Sequence, residues 1–171
     1  MSRTTEWLGL GSSLPLRVKA TPTATVMLAS AITALPFLAD APILPPLGFI
    51  VLIAWRLMRS DIWPVWIGVP LGLWDDLLSG QPVGSAVALW TIVMLGMDAI
   101  DRRVVWRDYR IDWALATLSL AFVLVAGAML ARAGDGATIV RLVGPQFLWS
   151  LFLIPLAMLL VARIDAWRLK R

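Results

Sequence analysis

Apolar residues in this sequence are gathered into runs of the length that a membrane-spanning helix needs. The six runs cover about 23–38, 43–57, 62–78, 83–97, 113–131 and 142–162. A hydrocarbon core of about 30 Å takes around 20 helical residues at a rise of 1.5 Å each, so six spans of about 18 residues would use about 108 positions. The pattern predicts an all-α fold, a compact bundle of about six transmembrane helices, with 1–171 forming a single integral membrane domain.

The composition is that of a chain whose side chains mostly face lipid. Of the 171 residues, 60% are apolar and only 15% are charged, whereas an ordinary soluble domain carries about 25% charged residues. Histidine and cysteine are absent, which excludes disulfides, thiol nucleophiles, metal binding through these side chains and the usual proton shuttle at neutral pH. We therefore expect no catalytic residue, no cofactor and no metal.

The basic residues indicate which ends of the spans face the cytoplasm. If the N-terminus is inside, only Arg132 and Arg141 lie outside, which the positive-inside rule favours. The 13 cytoplasmic Lys and Arg residues are then Arg3, Arg17, Lys19, Arg56, Arg59, Arg102, Arg103, Arg107, Arg110, Arg163, Arg168, Lys170 and Arg171. They flank the apolar runs and form no basic stripe, so nucleic-acid binding is not expected. Both termini are predicted to be cytoplasmic.

The segments outside the spans carry predictions of their own. Residues 1–20 are expected to form a cytoplasmic or interfacial leader, and 163–171 a cytoplasmic basic tail. Pro22 is expected at the start of the first helix, and Pro45–Pro46 at the start of the second. The connector 98–112 is predicted to be the main polar loop, a solvated segment that could contact anionic lipid or a cytoplasmic partner.

The first run allows a second interpretation. Arg17 and Lys19 before it, and Ala39-Asp40-Ala41 after it, have the composition of the basic region and cleavage site of a signal peptide. A long leader precedes the basic residues and a proline follows the cleavage site, so an uncleaved first helix is favoured.

The pair Asp75–Asp76 lies inside the third predicted span. An acidic residue costs about 2.5–3.5 kcal/mol at the centre of an inserting helix, so the pair is not expected to face lipid. Gly68, Gly72 and Asp76 are spaced by four and share one helix face, where small residues let another helix approach closely. Three interpretations stay open: contacts with the adjacent turn and the headgroup layer, a buried polar lock between helices, or an ion, proton or substrate site. Candidate partners on other helices are Ser85, Thr91, Arg141, Gln146 and Ser150.

The stretch Gly68-Val-Pro-Leu-Gly72-Leu-Trp-Asp75-Asp76-Leu-Leu-Ser-Gly80-Gln-Pro-Val-Gly84 resembles the signature region of the rod shape-determining protein MreD family. That family typically has a glycine, a carboxylate four residues on, two large apolar residues, a small turn with glycine, and another glycine where the next helix begins. In this sequence Gly72, Asp76, Gly80 and Gly84 take those positions, and Asp75 is an additional acid. The predicted helix-packing and polar-lock residues are Gly68, Gly72, Asp75, Asp76, Gly80 and Gly84.

The resemblance implies a non-enzymatic, multi-pass subunit of the bacterial cell-wall elongation (rod shape) complex in the inner membrane. Such a subunit binds MreC, and through the complex it helps couple cytoplasmic MreB to RodA and its transpeptidase in peptidoglycan synthesis. The family's helix arrangement is similar to that of the substrate-binding S components of energy-coupling-factor transporters. Two alternatives stay open: an S-component-like subunit of a small-molecule transporter, which needs a pocket with convergent polar groups, and a lipid-phosphate transferase, which needs charges clustered near a phosphate.

Overall fold

A computed structural model of the chain describes residues 16–34, 44–80, 82–103, 108–131 and 134–169. In these ranges the protein is all-α and has no strand, so the all-α part of the predicted fold is confirmed. The helices, numbered in chain order, are α1 (Leu16–Thr33), α2 (Leu47–Met58), α3 (Gly68–Ser79), α4 (Ser85–Asp101), α5 (Tyr109–Leu130) and α6 (Gly136–Leu169). A 3-10 turn at Val65–Ile67 leads into α3.

The short helix α2 lies at the centre of the bundle. Apart from Arg56 it is apolar on all sides, which is typical of a helix that is buried all round, and Phe49, Leu52 and Trp55 are fully buried. Helices α1, α5 and α6 pack around it, and the ring of Phe49 lies 5.8 Å from the ring of Trp90 on α4. With 12 residues, α2 is only about 18 Å long. Helix α2 is strongly apolar but, at this length, shorter than the helices that qualify as candidate spans.

The remaining helices pack against their neighbours in the chain, and the turns between them lie at the two ends of the bundle. Helix α3 contacts α1 and α4, α4 contacts α5, and α5 contacts α6. We call the end that holds the turn between α3 and α4 and the first turns of α6 the Asp76 end. The opposite end, which holds the last turns of α2, α4 and α6, is called the Arg56 end.

Two helices, α5 and α6, are long and apolar enough to cross a membrane. Large apolar side chains are exposed along both of them, including Leu118 and Met129 on α5 and Phe152, Leu156 and Leu159 on α6. Phe152 is 75% exposed. Exposed apolar surface of this kind is typical of a face that contacts lipid or another protein.

The first helix begins earlier than predicted. Helix α1 starts at Leu16, so Pro22 lies inside it and not at its start. An internal proline removes one backbone hydrogen bond, and packing of α1 against α2 and α3 compensates for the loss. The prediction that Pro45–Pro46 lies at the start of the second helix is confirmed, because Pro46 directly precedes α2. Residues 1–15 of the leader and the Ala39-Asp40-Ala41 site lie outside the described residues.

Two polar segments are more helical than predicted. Helix α4 continues to Asp101 and α5 begins at Tyr109, so the connector is shorter than 98–112. Helix α6 continues to Leu169, so most of the predicted basic tail is helical. In both cases the charged residues of the last turns form ion pairs at the Arg56 end. A hydropathy pattern does not predict such pairs.

Candidate functional site at the Asp76 end

Asp76 is buried where α3 meets α4, and only 2% of its surface is exposed. Its carboxylate accepts four hydrogen bonds from the start of α4. Oδ1 accepts from the Ser85 hydroxyl and from the Ala86 N–H, both at 2.9 Å. Oδ2 accepts from the N–H groups of Gly84 at 2.8 Å and Val87 at 3.3 Å. Asp76 therefore caps the N-terminus of a neighbouring helix.

The local sequence explains why a carboxylate from another helix takes this position. The first N–H groups of a helix have no partner within it, and a Ser, Thr, Asp or Asn at the N-cap usually provides one. Helix α4 has Gly84 at its N-cap, so no side chain there can cap it. Charge-assisted hydrogen bonds and the positive end of the helix dipole favour a carboxylate at this point. Together they offset the cost of burying its charge.

Two glycines bring α3 close enough to α4 for these bonds to form. A Cβ added at Gly72 would lie 2.7 Å from both the N and the Cα of Val87, and one added at Gly68 would lie 3.0 Å from the N of Thr91. The obstacles are backbone atoms, which cannot rotate away. The spacing by four thus places Gly68, Gly72 and Asp76 on one face of α3, directly against the backbone of α4.

Two further glycines, Gly80 and Gly84, shape the turn between the helices. Gly80 follows the last residue of α3 with φ 65°, and Gly84 precedes α4 with φ 100°. Both angles lie in the left-handed region, which costs a residue with a side chain about 1–2 kcal/mol. The turn therefore places the first N–H groups of α4 next to the Asp76 carboxylate.

Asp75 points away from this junction. Successive residues of a helix differ by about 100° in direction, and Asp75 approaches α1 and α2 instead of the start of α4. A Cβ at Gly48 of α2 would lie 3.2 Å from Asp75 Oδ1 and would collide with the Ser30 hydroxyl of α1. The two adjacent carboxylates are therefore separated, with one at the α3–α4 contact and the other near the junction of α1, α2 and α3.

A cavity of about 350 Å³ lies at the Asp76 end. Its polar lining consists of Asp75, Ser79, Ser85 and Gln146, and the rest is apolar, including Trp90. Ligand pockets typically have volumes of about 300–1000 Å³, so this cavity has room for a small organic molecule. Exposed lining residues, among them Ser79 and Leu142, mark its mouth.

Of the candidate partners of Asp76, Ser85 is the one that bonds to it. The other three polar side chains donate to backbone carbonyls at 2.6 Å: Thr91 to Val87, Gln146 to Leu44 and Ser150 to Gln146. Arg141 is exposed, and within the described residues it forms no ion pair with either aspartate.

The main polar feature that the sequence analysis missed is the buried guanidinium of Arg56. Its side chain is only 4% exposed, and Nη2 lies 2.8 Å from Asp101 and 3.9 Å from Asp98 of α4. From the sequence, Arg56 was interpreted as a topology signal at the edge of a span. The available signal was the pair Asp98 and Asp101, since acidic residues three apart share a helix face.

A second ion-pair group at the Arg56 end joins α2 to α6. Asp165 of α6 pairs with Arg59 at 3.2 Å and with Arg168 at 2.7 Å. The Arg168 guanidinium lies 4.8 Å from the ring centre of Trp55, and the Trp55 indole donates to Thr25 of α1 at 2.9 Å. These contacts bind α1, α2 and α6 together.

In the ranges that the structure describes, no three acidic side chains are grouped so that they could hold a metal ion. Comparison with known proteins finds no matching family model, curated protein or solved structure.

Proposed function

We propose that this chain is a polytopic protein of the bacterial inner membrane and a non-enzymatic, MreD-like subunit of the cell-wall elongation complex. The observation that carries the proposal is that the MreD-like residues form one structural unit. Gly72, Asp76 and Gly84 meet at the contact between α3 and α4. A motif of glycines and an aspartate is common by chance, but here each member contributes to the same helix junction.

Several features support a membrane location. Helices α5 and α6 have the length and apolar character of spans, and their exposed apolar side chains would face lipid. Helix α1 contributes Val26 and Ser30 to the buried interior, which supports an uncleaved first helix. The Arg56 end carries most of the basic residues and would face the cytoplasm with both termini. The Asp76 end would then face the periplasm.

An assembly role fits the chemistry of this bundle. The four hydrogen bonds of Asp76 are used within the protein, so its carboxylate is occupied in fixing α3 against α4. A bundle fixed in this way presents a preorganised apolar surface, and transmembrane partners associate with such surfaces through close packing. The partners we propose are MreC directly, and MreB, RodA and its transpeptidase directly or through the complex.

The proposal is tested by purifying the tagged chain from membranes of the cell that makes it. We expect MreC to co-elute, and we expect depletion of the chain to turn rod-shaped cells round. Gly72→Leu should abolish both co-elution and the rod shape because it separates α3 from α4. Gly96→Leu is the matched control, since a Cβ at Gly96 meets no atom within 4 Å. Failure of the wild-type chain to co-elute with MreC, together with normal shape on depletion, would overturn the proposal.

The cavity favours a second candidate, an S-component-like subunit of a small-molecule transporter. Such a subunit needs a pocket with convergent polar groups, and Asp75, Ser79, Ser85 and Gln146 line one cavity. A small molecule that is retained through purification and identified by mass spectrometry would support this function. Co-elution of the chain with an energy-coupling module, and not with MreC, would establish the transporter function.

A further inference from the structure

We propose that the cavity at the Asp76 end binds a small molecule that carries a protonated amine on an apolar body. The inference rests on the cavity that supports the second candidate function, and it names the chemical class of the occupant. It holds whether the occupant is transported, sensed or retained as a structural ligand.

The charge of the lining points to a cation. Among the described residues, Asp75 is the one charged residue that lines the cavity, and it forms no ion pair with any of them. The neighbouring Asp76 is not part of the described lining, and the start of α4 satisfies its carboxylate. A partly buried carboxylate without a counter-charge is costly. A ligand with one positive charge would supply that partner, whereas a phosphate or carboxylate ligand would meet no basic side chain in the described part of the lining.

All four polar side chains of the described lining carry an oxygen that can accept a hydrogen bond. The Ser85 hydroxyl already donates to Asp76 Oδ1, so its oxygen is left to accept. One N–H of the Gln146 amide donates to the Leu44 carbonyl at 2.6 Å, which leaves the side-chain oxygen to accept and the second N–H to donate. With Asp75 these oxygen atoms suit an ammonium group, which has three N–H donors and no acceptor.

The rest of the cavity suits an apolar body. The apolar lining residues come from three helices and include Leu89, Trp90, Val123, Leu124 and Val143. An indole next to a bound cation also adds a favourable cation–π interaction. The volume of about 350 Å³ fits one ring or a short alkyl chain better than a large lipid.

The test uses the full chain, purified in detergent micelles, and matched probes. 2-Phenylethylamine and hexylamine are the cationic probes, 2-phenylethanol is the neutral control and 3-phenylpropionate is the anionic control. Binding is followed by calorimetry and by the rise in Tm. We expect saturable binding of at least one amine, with the alcohol and the acid weaker by about ten-fold or more because they lack the charge-assisted contact.

Two variants locate the site. Asp75→Asn should weaken amine binding by about ten-fold or more and should leave the cap of α4 intact. Ala128→Phe should abolish binding by filling the cavity from α5 while keeping the charge. Asp135→Asn, which removes an exposed acid at the same end, is the control and should bind like the wild type.

Three results would overturn the inference: no binding of either amine, equal binding of 2-phenylethylamine and 2-phenylethanol, or amine binding that neither Asp75→Asn nor Ala128→Phe reduces. The first and third would also remove the support that the cavity gives to the transporter candidate. The elongation-complex proposal is judged separately, since Asp75→Asn is expected to co-elute with MreC as the wild type does.

Discussion

The two ends of the bundle both bury charged side chains, but they satisfy them in different ways. At the Asp76 end, one carboxylate binds four donors, three of them backbone N–H groups, at the start of α4. At the Arg56 end, side chains of opposite charge pair across α2, α4 and α6. Backbone donors are fixed in space, so the first arrangement requires two helices to touch. Long side chains can bridge a gap, so the second arrangement does not require the helices to touch. We therefore expect the Asp76 end to be sensitive to added volume and the Arg56 end to be sensitive to lost charge.

The largest expected effect is that of Gly72→Leu. The Leu side chain would collide with the Val87 backbone, and overpacking of this kind costs about 3 kcal/mol or more of unfolding free energy when the obstacle cannot move. Equilibrium unfolding in mixed detergent micelles, followed by tryptophan fluorescence, measures the loss. Gly96→Leu on α4 should change the stability little. Similar losses in both variants would show that α3 and α4 are not in backbone contact.

At the Arg56 end, Arg56→Met should cost about 3 kcal/mol, the lower end of the range for breaking a buried ion pair. The side chain of Asp101 is 17% exposed, which moderates the cost. Arg102→Met is the control: its side chain is 77% exposed, and surface pairs contribute about 0–1 kcal/mol. If both variants lose the same stability, the idea that Arg56 acts through burial is wrong.

A smaller loss, about 2 kcal/mol, is expected for Asp76→Asn. The amide keeps one acceptor oxygen, but its NH₂ group would face the N–H groups of α4. The adjacent substitution Asp75→Asn should not lower the stability of the ligand-free protein, because this side chain does not cap α4 and its charge has no ion-pair partner among the described residues. Equal losses at the two positions would contradict the division of roles between the neighbouring aspartates.

The smallest effect concerns Asp135, an exposed counterpart of the Asp76 cap. Its carboxylate accepts from the Thr138 hydroxyl at 2.6 Å and the Thr138 N–H at 3.0 Å, and these bonds lower the pKa of Asp135. Because the folded pKa lies below the unfolded one, the stabilisation is present above the unfolded pKa and disappears as the pH falls through the lowered value, below about pH 4. Hydrogen exchange at the start of α6 should show this loss in the wild type and not in Asp135→Asn. The same pH dependence in both proteins would exclude Asp135 as its source.

The comparison of the two ends also shows what the sequence could and could not predict. The face shared by Gly68, Gly72 and Asp76 follows from helical spacing within one segment, and Ser85 was among the expected donors on other helices. The direction of Asp75 and the cavity depend on where α1, α2, α5 and α6 lie, which no local pattern specifies. The cavity was therefore not predicted.

The Arg56 end was harder to predict for a related reason. An arginine at the edge of an apolar run is typical of a topology signal, and the partner of Arg56 lies 45 positions further along the chain, at Asp101. Hydropathy likewise assigned the charged last turns of α4 and α6 to a loop and a tail. Their ion pairs keep these turns helical, and those pairs exist only in the folded bundle.

The central claim is that the bundle crosses the membrane with its Asp76 end outside and its Arg56 end inside. Because the chain has no cysteine, single cysteines report the side of the membrane without background. Val83 is 72% exposed at the Asp76 end, and Arg103 is exposed at the Arg56 end. In intact spheroplasts treated with a membrane-impermeant maleimide, we predict that Val83→Cys is labelled and that Arg103→Cys is labelled only after permeabilisation. Labelling of Arg103→Cys in intact spheroplasts would contradict the account.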